Sequence, residues 1–484
     1  MKTFFLPRIR DVLFFAIFAG VLALGPQMLN MDGDLPRHLL MGKIVLETKT
    51  VPTTDIFSYV YEGRPLIPHE WLAGVIFFLF YSKLGLDGIV LLSALLLSIT
   101  FTLVYDYALL RCGARFPSLI LVVWGAATSS LHWLVRPHLF TMLFLAIFLI
   151  LADRLIRDEF KQVWLFPVLM VIWANLHAEF VAGLLVLAAY CAGWIFDIFL
   201  KRTNINFVLG KRLGVATILS ILATLVNPAG FHTWETVFGY VNNRYLMLRI
   251  METRPPDFSQ PQFLILLALL IFCIVLVLLR IRKLGTGTLI ALAGFSAMSI
   301  FSARNVHLYG VVAPVLLACA LTGSAEIPAL KTLEKIFAVV ERSVRGFLWP
   351  GVTVFLLSGL LLGGQLGMVN EFSAKTFPVR ALNWLEMNPQ HGRMFNAFDW
   401  GGYILFNMWP TQLAFIDSQT DVHGDITREY ERAISLEEGW QDVFTKYDIR
   451  WVIIPKKWHL VGALAFQGWR DVYHDELAVI LVRP

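Results

Sequence analysis

The stretch VLALGPQMLNMDGDLPRHLL, residues 21–40, decides how this chain has to be read. Its first half closes an apolar run that begins near residue 12. Its second half crowds Asp32, Asp34, Arg37 and His38 into the place where a simple membrane anchor would end. The run is about 18 residues long, more than the ~7–15 of a signal-peptide core, and no A-x-A cleavage site follows it. Residues 12–29 therefore read as a retained first helix.

Composition points the same way. Of 484 residues, 57% are hydrophobic and only 15% are charged, with a mean hydropathy of +0.67. A soluble chain would carry about a quarter charged residues, so this one needs lipid to cover much of its surface. The net charge of +5 is modest, and no basic run interleaved with aromatics indicates nucleic acid. Cys112, Cys191, Cys273 and Cys319 are scattered among apolar segments without metal or disulfide spacing and read as small buried hydrophobes.

Apolar runs of spanning length, ~20 residues, fall near 12–29, 87–109, 117–133, 138–152, 162–177, 180–200, 212–228, 262–281, 286–303, 306–322 and 348–368. This predicts a polytopic α-helical membrane protein of about eleven transmembrane helices. A twelfth run, 71–84, is short and carries Lys83. The connections around Arg111, Arg154, Lys201, Arg280 and Lys331 are basic, as is the N-terminus. All of them share one side only if 71–110 crosses once, so 71–84 is expected to lie in the interface or insert partly. Cytoplasmic loops keep Lys and Arg, which puts the N-terminus in the cytoplasm and the C-terminus outside.

With that sidedness, His38, His69, His132, His138, His177, His232 and His307 all fall on the outer face. Beside them lie Asp32, Asp34, Glu70, Arg136, Asn175, Glu179, Arg244 and Arg304. Polar groups near membrane depth are costly and usually line a cavity or pair, so several helix ends are expected to build one external chamber. The first outer loop, 31–70, should contain an amphipathic interfacial helix on Leu39, Leu40, Ile44, Val45 and Leu46. From 371 onward, short strand-like runs alternate with helical patterns and the turn signals DWGG and HGD. The chain thus divides into a transmembrane domain, 1–370, and a small extracytoplasmic α/β domain, 371–484.

The arrangement resembles the GT-C glycosyltransferases, which include protein O-mannosyltransferases, oligosaccharyltransferases and the lipid A aminoarabinose transferase. The similarity is carried by DGDLPRHLLMGKIV, VPTTDIFSY and HEWL in the first loop. RPH, NLHAEF, FNAFDWGGYILF and AFIDSQTD extend it. It implies an inverting transferase of the inner (plasma) membrane that takes a sugar from a polyprenyl-phosphate donor, with membrane lipids around it and an unidentified lipid, glycan or protein acceptor. By this resemblance Asp34, or else Asp32, is the catalytic aspartate. Substrate-binding candidates are Arg37, His38, Asp55, His69, Glu70, Arg136, His138, Asn175, His177, Glu179, Arg244 and Arg304. The Trp-Trp-Asp acceptor motif of oligosaccharyltransferases is absent, and DGD replaces the Asp-Glu pair of O-mannosyltransferases. No cofactor is required by the sequence; a divalent cation, Mn²⁺ or Mg²⁺, is a candidate because metal-using members exist and carboxylates lie near histidines.

Structural readings compete at every position. Asp32 or Asp34 can cap the interfacial helix while the other acts. Asp55 suits a turn, and Asp417 and Asp421 either face the chamber or, as the commoner case, sit in surface turns. DWGG reads mainly as a tight turn before a helix. Two other functions compete as well: a transporter or flippase of lipid-linked saccharides, which needs polar groups at mid-depth, and a non-catalytic assembly subunit that docks through its C-terminal domain.

Overall fold

The structure, a computed structural model, describes residues 6–200, 206–242, 251–324, 328–341, 347–418 and 424–484. The first part is a helical bundle: α1 (Ile9–Asn30), α2 (Asp34–Thr48), α3 (Trp71–Cys112), α4 (Arg115–Ser129), α5 (His138–Ile156), α6 (Leu165–Leu176) and α7 (Val181–Phe199). It continues with α8 (Phe207–Ala223), α9 (Thr233–Asn242), α10 (Leu264–Arg280), α11 (Thr286–Phe301), α12 (Val306–Leu317), α13 (Pro328–Val340) and α14 (Leu348–Leu362). All the expected apolar runs lie on helices. Among the described residues six helices are long and apolar enough to cross a membrane, fewer than the expected count of about eleven. Others, such as α6, α11 and α14, are apolar but shorter.

The segment 71–84 is set off from the rest of α3 by a kink at Gly85, whose φ of 61° and ψ of −152° no L side chain adopts comfortably. The segment before the kink runs along α2 at very close range. A Cβ at Gly42 would collide with the Gly74 carbonyl, and one at Gly74 would meet the His38 carbonyl at 2.7 Å. The same device recurs where α4 crosses α12 at Gly125 and Gly310, and where α7 crosses α11 at Gly193 and Gly287. Small residues let backbones approach where apolar association alone gives little drive, as in lipid.

One end of the bundle is closed by its own polar lock. The Tyr107 hydroxyl donates to Asp153 (2.5 Å), and Arg111 and Arg157 pair with the same carboxylate at 3.2 and 2.9 Å. The opposite end carries α2 and the C-terminal region.

That region holds α15 (Val379–Met387), β1 (Arg393–Asn396), α16 (Gly401–Met408), α17 (Gly424–Ile434), α18 (Trp440–Lys446), β2 (Ile449–Pro455), α19 (His459–Phe466), β3 (Arg470–His474) and β4 (Ala478–Val482). The strands form one sheet in the order β1-β2-β4-β3, with β1 parallel to β2 and the other pairs antiparallel. Strand β2 is almost uniformly apolar because both of its faces are covered. Trp451 and Ile453 face α15, whereas Val452 and Ile454 pack with Ile426, Phe444 and Leu460.

The first loop joins sheet and bundle. The Tyr59 hydroxyl donates to the Met394 carbonyl (2.9 Å), the Trp409 indole N–H donates to the Ile56 carbonyl (3.0 Å), and Ser58 forms a parallel bridge with Ala414. DWGG is a docking surface as well as a turn. Gly33 lies against the Asp399 carbonyl, and a Cβ at Gly402 would meet the Gly33 carbonyl at 2.8 Å. Buried Asn396 clips the neighbouring segment in place, accepting from the Phe415 amide (2.9 Å) and donating to the Ile416 carbonyl (2.8 Å).

Candidate functional site

Between α2, the sheet region and the helix ends lies a polar cavity of about 150 Å³. It is lined by Asp34, Arg37, His38, His69, Glu70, His132, Arg136, His138, His177, Glu252 and Arg304, with Trp71, Phe398 and Ser418. Every ionisable group here belongs to a loop, to α2, or to the terminus of a bundle helix. Of the seven histidines expected to gather at one end, five line the cavity and His307 packs against two of them, whereas exposed His232 pairs with Glu235 (2.7 Å).

The two aspartates have different surroundings. The Asp34 amide donates to Asp32 Oδ1 (2.9 Å), so Asp32 organises the turn that starts α2. Asp34 itself lines the cavity, at the first position of α2, where the helix dipole favours a carboxylate. The Ser418 hydroxyl bonds to it. Burial nevertheless pushes both carboxyls up, Asp32 to about 6, against the pull of Arg136.

Arg136 is held between α4 and α5 by a loop whose Val135 amide donates to the Met28 carbonyl (3.5 Å) and whose Pro137 precedes α5. Its fork reaches three carboxylates: Nε to Asp32 (2.8 Å), Nη2 to Asp34 (2.9 Å) and Nη1 to Glu252 (3.1 Å). Two like charges 4 Å apart at an effective dielectric of 20 repel by about 4 kcal/mol, so the guanidinium is what allows the three acids to share the site. Glu252 is positioned because the Ser302 hydroxyl donates to its carbonyl (3.2 Å) and the Ala303 amide to that of Arg254 (2.8 Å). Burial pushes its carboxyl up, but Arg136 and Arg304 outweigh this and hold it near about 2.

A second acidic pole is Glu70 with Glu179. His177 contacts both, at 3.3 and 3.4 Å, and His307 (3.2 Å) and Arg304 (3.6 Å) reach Glu179. His38 and His69 approach Glu70 at 3.7 and 3.8 Å. The rings of His132, His138 and His307 pack mutually, with centroids 4.8–5.2 Å apart. Burial drives His38 down, His132 to about 3 and His177 to about 4, so these imidazoles are neutral near pH 7 and act as hydrogen-bonding groups.

Next to the polar cavity lies an apolar one of about 320 Å³, lined by Leu185, Val237, Met298, Phe301 and Leu308. His69, Glu70, His177 and Arg304 form the wall common to both. Arg304 thus sits at the junction of a charged chamber and a greasy one.

Of the residues singled out in the sequence, Asp34, Arg37, His38, His69, Glu70, Arg136, His138, His177 and Arg304 line the polar cavity, and Glu179 lines the apolar one. Asp32 stands just behind Arg136. Asp55 lies elsewhere: it accepts the Phe57 and Ser58 amides (2.8 and 3.2 Å) in a buried turn, as its competing reading expected. Asn175 braces the wall, accepting from the Trp71 indole (2.7 Å) and donating to the Val226 carbonyl (2.8 Å). Arg37 borders the cavity but pairs with buried Asp417 (2.8 Å), its guanidinium 3.4 Å from the centre of the Phe57 ring. Asp417 is therefore a buried ion-pair partner and not the surface turn residue expected. Arg244 and Asp421 lie outside the described residues. Glu252 escaped the sequence reading; its one signal is that it is the single acid of RIMETRPP, flanked by arginines. His132 and His307 were visible in the outer-face pattern without being assigned to the site.

The acids do not fit a hard dication as they stand. Among the described residues no three His, Cys, Asp or Glu side chains are grouped to hold a metal ion. The point where Asp32, Asp34 and Glu252 converge is filled by Arg136.

No protein-family description and no curated protein matches this sequence. Solved structures do. The archaeal oligosaccharyltransferase AglB from Archaeoglobus fulgidus, solved in complex with an inhibitory peptide and a dolichol-phosphate, superposes with a TM-score of 0.60 at 10% identity. The match covers 92% of this chain and 69% of that one. The apo form of the Archaeoglobus fulgidus oligosaccharyltransferase gives a TM-score of 0.58 at 11% identity, with the same coverage. The chain shares the overall fold of these two structures, and at such identity the likeness speaks to the fold alone; with its apolar helices that fold fits the multi-pass membrane protein expected from the sequence.

Proposed function

We propose that the chain is an inverting glycosyltransferase that moves a sugar from a polyprenyl-phosphate donor to an acceptor at the outer face of the inner (plasma) membrane. One observation carries this: a half-buried carboxylate, Asp34, faces a polar cavity whose wall, through Arg304, is also the wall of an apolar cavity. A lipid phosphate with a sugar on it has that shape, with a greasy tail, an anionic joint and a polar head.

In this reading the tail lies along Leu185, Met298 and Phe301, and the phosphate rests at Arg304. The sugar enters the chamber of histidines. Asp34 accepts the proton of the acceptor hydroxyl as its oxygen bonds to the anomeric carbon. The bond from that carbon to the phosphate oxygen breaks, its electron pair leaves with the phosphate, and Arg304 stabilises the charge that develops. Burial raises the proton affinity of Asp34, which suits a base. The remaining parts of the proposal are about eleven crossings, a cytoplasmic N-terminus and the division near residue 371. That division leaves the C-terminal region over the chamber, beside the acceptor. A dolichol-phosphate in the structure of AglB supports a lipid-linked donor.

The test is release of polyprenyl phosphate from a panel of polyprenyl-phosphate sugars by the purified protein, with a membrane extract as the source of acceptors. Release that Asp34→Asn lowers by about 10²–10⁴-fold is the expected result. No release from any donor, with the protein monodisperse, would overturn the reading.

A further inference from the structure

We infer that Arg136 is the built-in cation of this site: a positioning residue that holds Asp32, Asp34 and Glu252 where a divalent ion would otherwise be needed. The inference rests on the same site as the transferase reading. Its test reads metal binding, so either can fail without the other.

Three carboxylates from two separate stretches of chain converge on one guanidinium. Such a set needs positive charge at its centre, and oxygen donors of this kind ordinarily take a hard dication. Here the centre is filled from within the chain. Nε, Nη1 and Nη2 of Arg136 each reach a different carboxylate, at 2.8, 3.1 and 2.9 Å. A guanidinium suits the role because its donors form a rigid planar fork and it keeps its proton in proteins. The loop carrying it is tethered to the end of α1 through the Val135 amide and the Met28 carbonyl and precedes α5 directly, which places the Arg136 backbone beside the three acids. An ion entering the site would have to displace three charge-assisted hydrogen bonds and then lie beside a permanent positive charge.

The other pole has its own partners. Glu179 is served by Arg304 and by the imidazoles of His177 and His307, and Glu70 by three imidazoles. The unusual consequence is that removing one arginine turns this site into a metal site. With Arg136→Ala, Asp32, Asp34 and Glu252 are left around an empty, acidic pocket lined by carboxylate oxygens.

The experiment is a Mn²⁺ titration of the full-length protein in detergent, followed by loss of the free-Mn²⁺ paramagnetic resonance signal. The wild type is expected to leave the signal unchanged, with the same melting temperature in chelator and in Mn²⁺. Arg136→Ala is expected to take up Mn²⁺ stoichiometrically and to melt higher with it, and Glu252→Gln added to that variant should abolish the uptake. Stoichiometric uptake by the wild type that Glu252→Gln removes would overturn the inference. So would a folded Arg136→Ala that takes up none. Arg136→Met keeps the volume of the side-chain stem and serves if the alanine variant aggregates; should both aggregate, the wild-type titration decides alone.

Discussion

At the scale of single residues, the site works through the contrast between two neighbouring aspartates. Asp32 turns its oxygen back onto the Asp34 amide, and Asp34 alone borders the cavity. Replacing Asp34 with Asn should lower turnover by about 10²–10⁴-fold, the usual worth of general-base help, with the fold intact. A base must be ionised to act, and burial raises both aspartates, Asp32 to about 6. Activity should therefore fall on the acidic side, along a limb displaced upward from that of an ordinary carboxylate. A pH profile of donor cleavage checks this, and residual activity of Asp34→Asn should lack the limb. Arg304 makes the complementary case. Removing a hydrogen bond to a charged group costs about 1.5–3 kcal/mol, so Arg304→Ala should weaken donor affinity roughly 10- to 100-fold. Titrating donor against the purified variant measures it.

At the scale of elements, the decisive contact is the one between α2 and the segment before the Gly85 kink. Gly42 and Gly74 let two backbones touch, and His38 is carried to Glu70 by that closeness. Gly74→Leu should destabilise the protein by about 1–3 kcal/mol through overpacking, read as a lower melting temperature in detergent. Gly20 and Gly239, around which an added Cβ meets nothing, should tolerate alanine in the same assay. The amphipathic pattern of α2 was legible from Leu39, Leu40, Ile44 and Val45, all of which are buried. The crossing was not. A glycine that separates two backbones looks in sequence like any other glycine, because what it makes room for comes from another helix.

At the scale of the whole molecule, the first loop couples the sheet region to the bundle, and Arg37 with Asp417 is its ionic fastening. Arg37→Ala would take the guanidinium away from buried Asp417, a loss of about 3–5 kcal/mol. Arg37→Ala with Asp417→Ala should recover part of that loss, since the stranded charge is then gone. Thermal unfolding and protease sensitivity beyond residue 371 report both. The apolar cavity is testable at the same scale. Leu185→Trp should raise KM for long-chain donors while sparing short-chain ones, since only a long tail has to occupy that space.

Much of this was written locally. Helices follow from apolar runs whose length and hydropathy are properties of contiguous residues. The chamber could be anticipated because histidines and acids recur at alternate helix ends, a pattern that survives without coordinates. Asp55 and DWGG announced their turns through chemistry that acts over a few residues. Other features depend on long-range closure. Glu252 joins Asp32 and Asp34 only when Arg136 draws three separate stretches together. Asp417 looks like a surface turn until the sheet settles over α2 and leaves it buried beside Arg37. The sequence by itself determined a helical membrane chain with a charged end and a C-terminal stretch of mixed helices and strands, because hydrophobic periodicity and turn chemistry are local. Only the tertiary structure decided which acids share a cation and which aspartate faces the cavity, because electrostatic pairing is set by distances between residues far apart in the chain, 116 positions for Arg136 and Glu252 and 380 for Arg37 and Asp417.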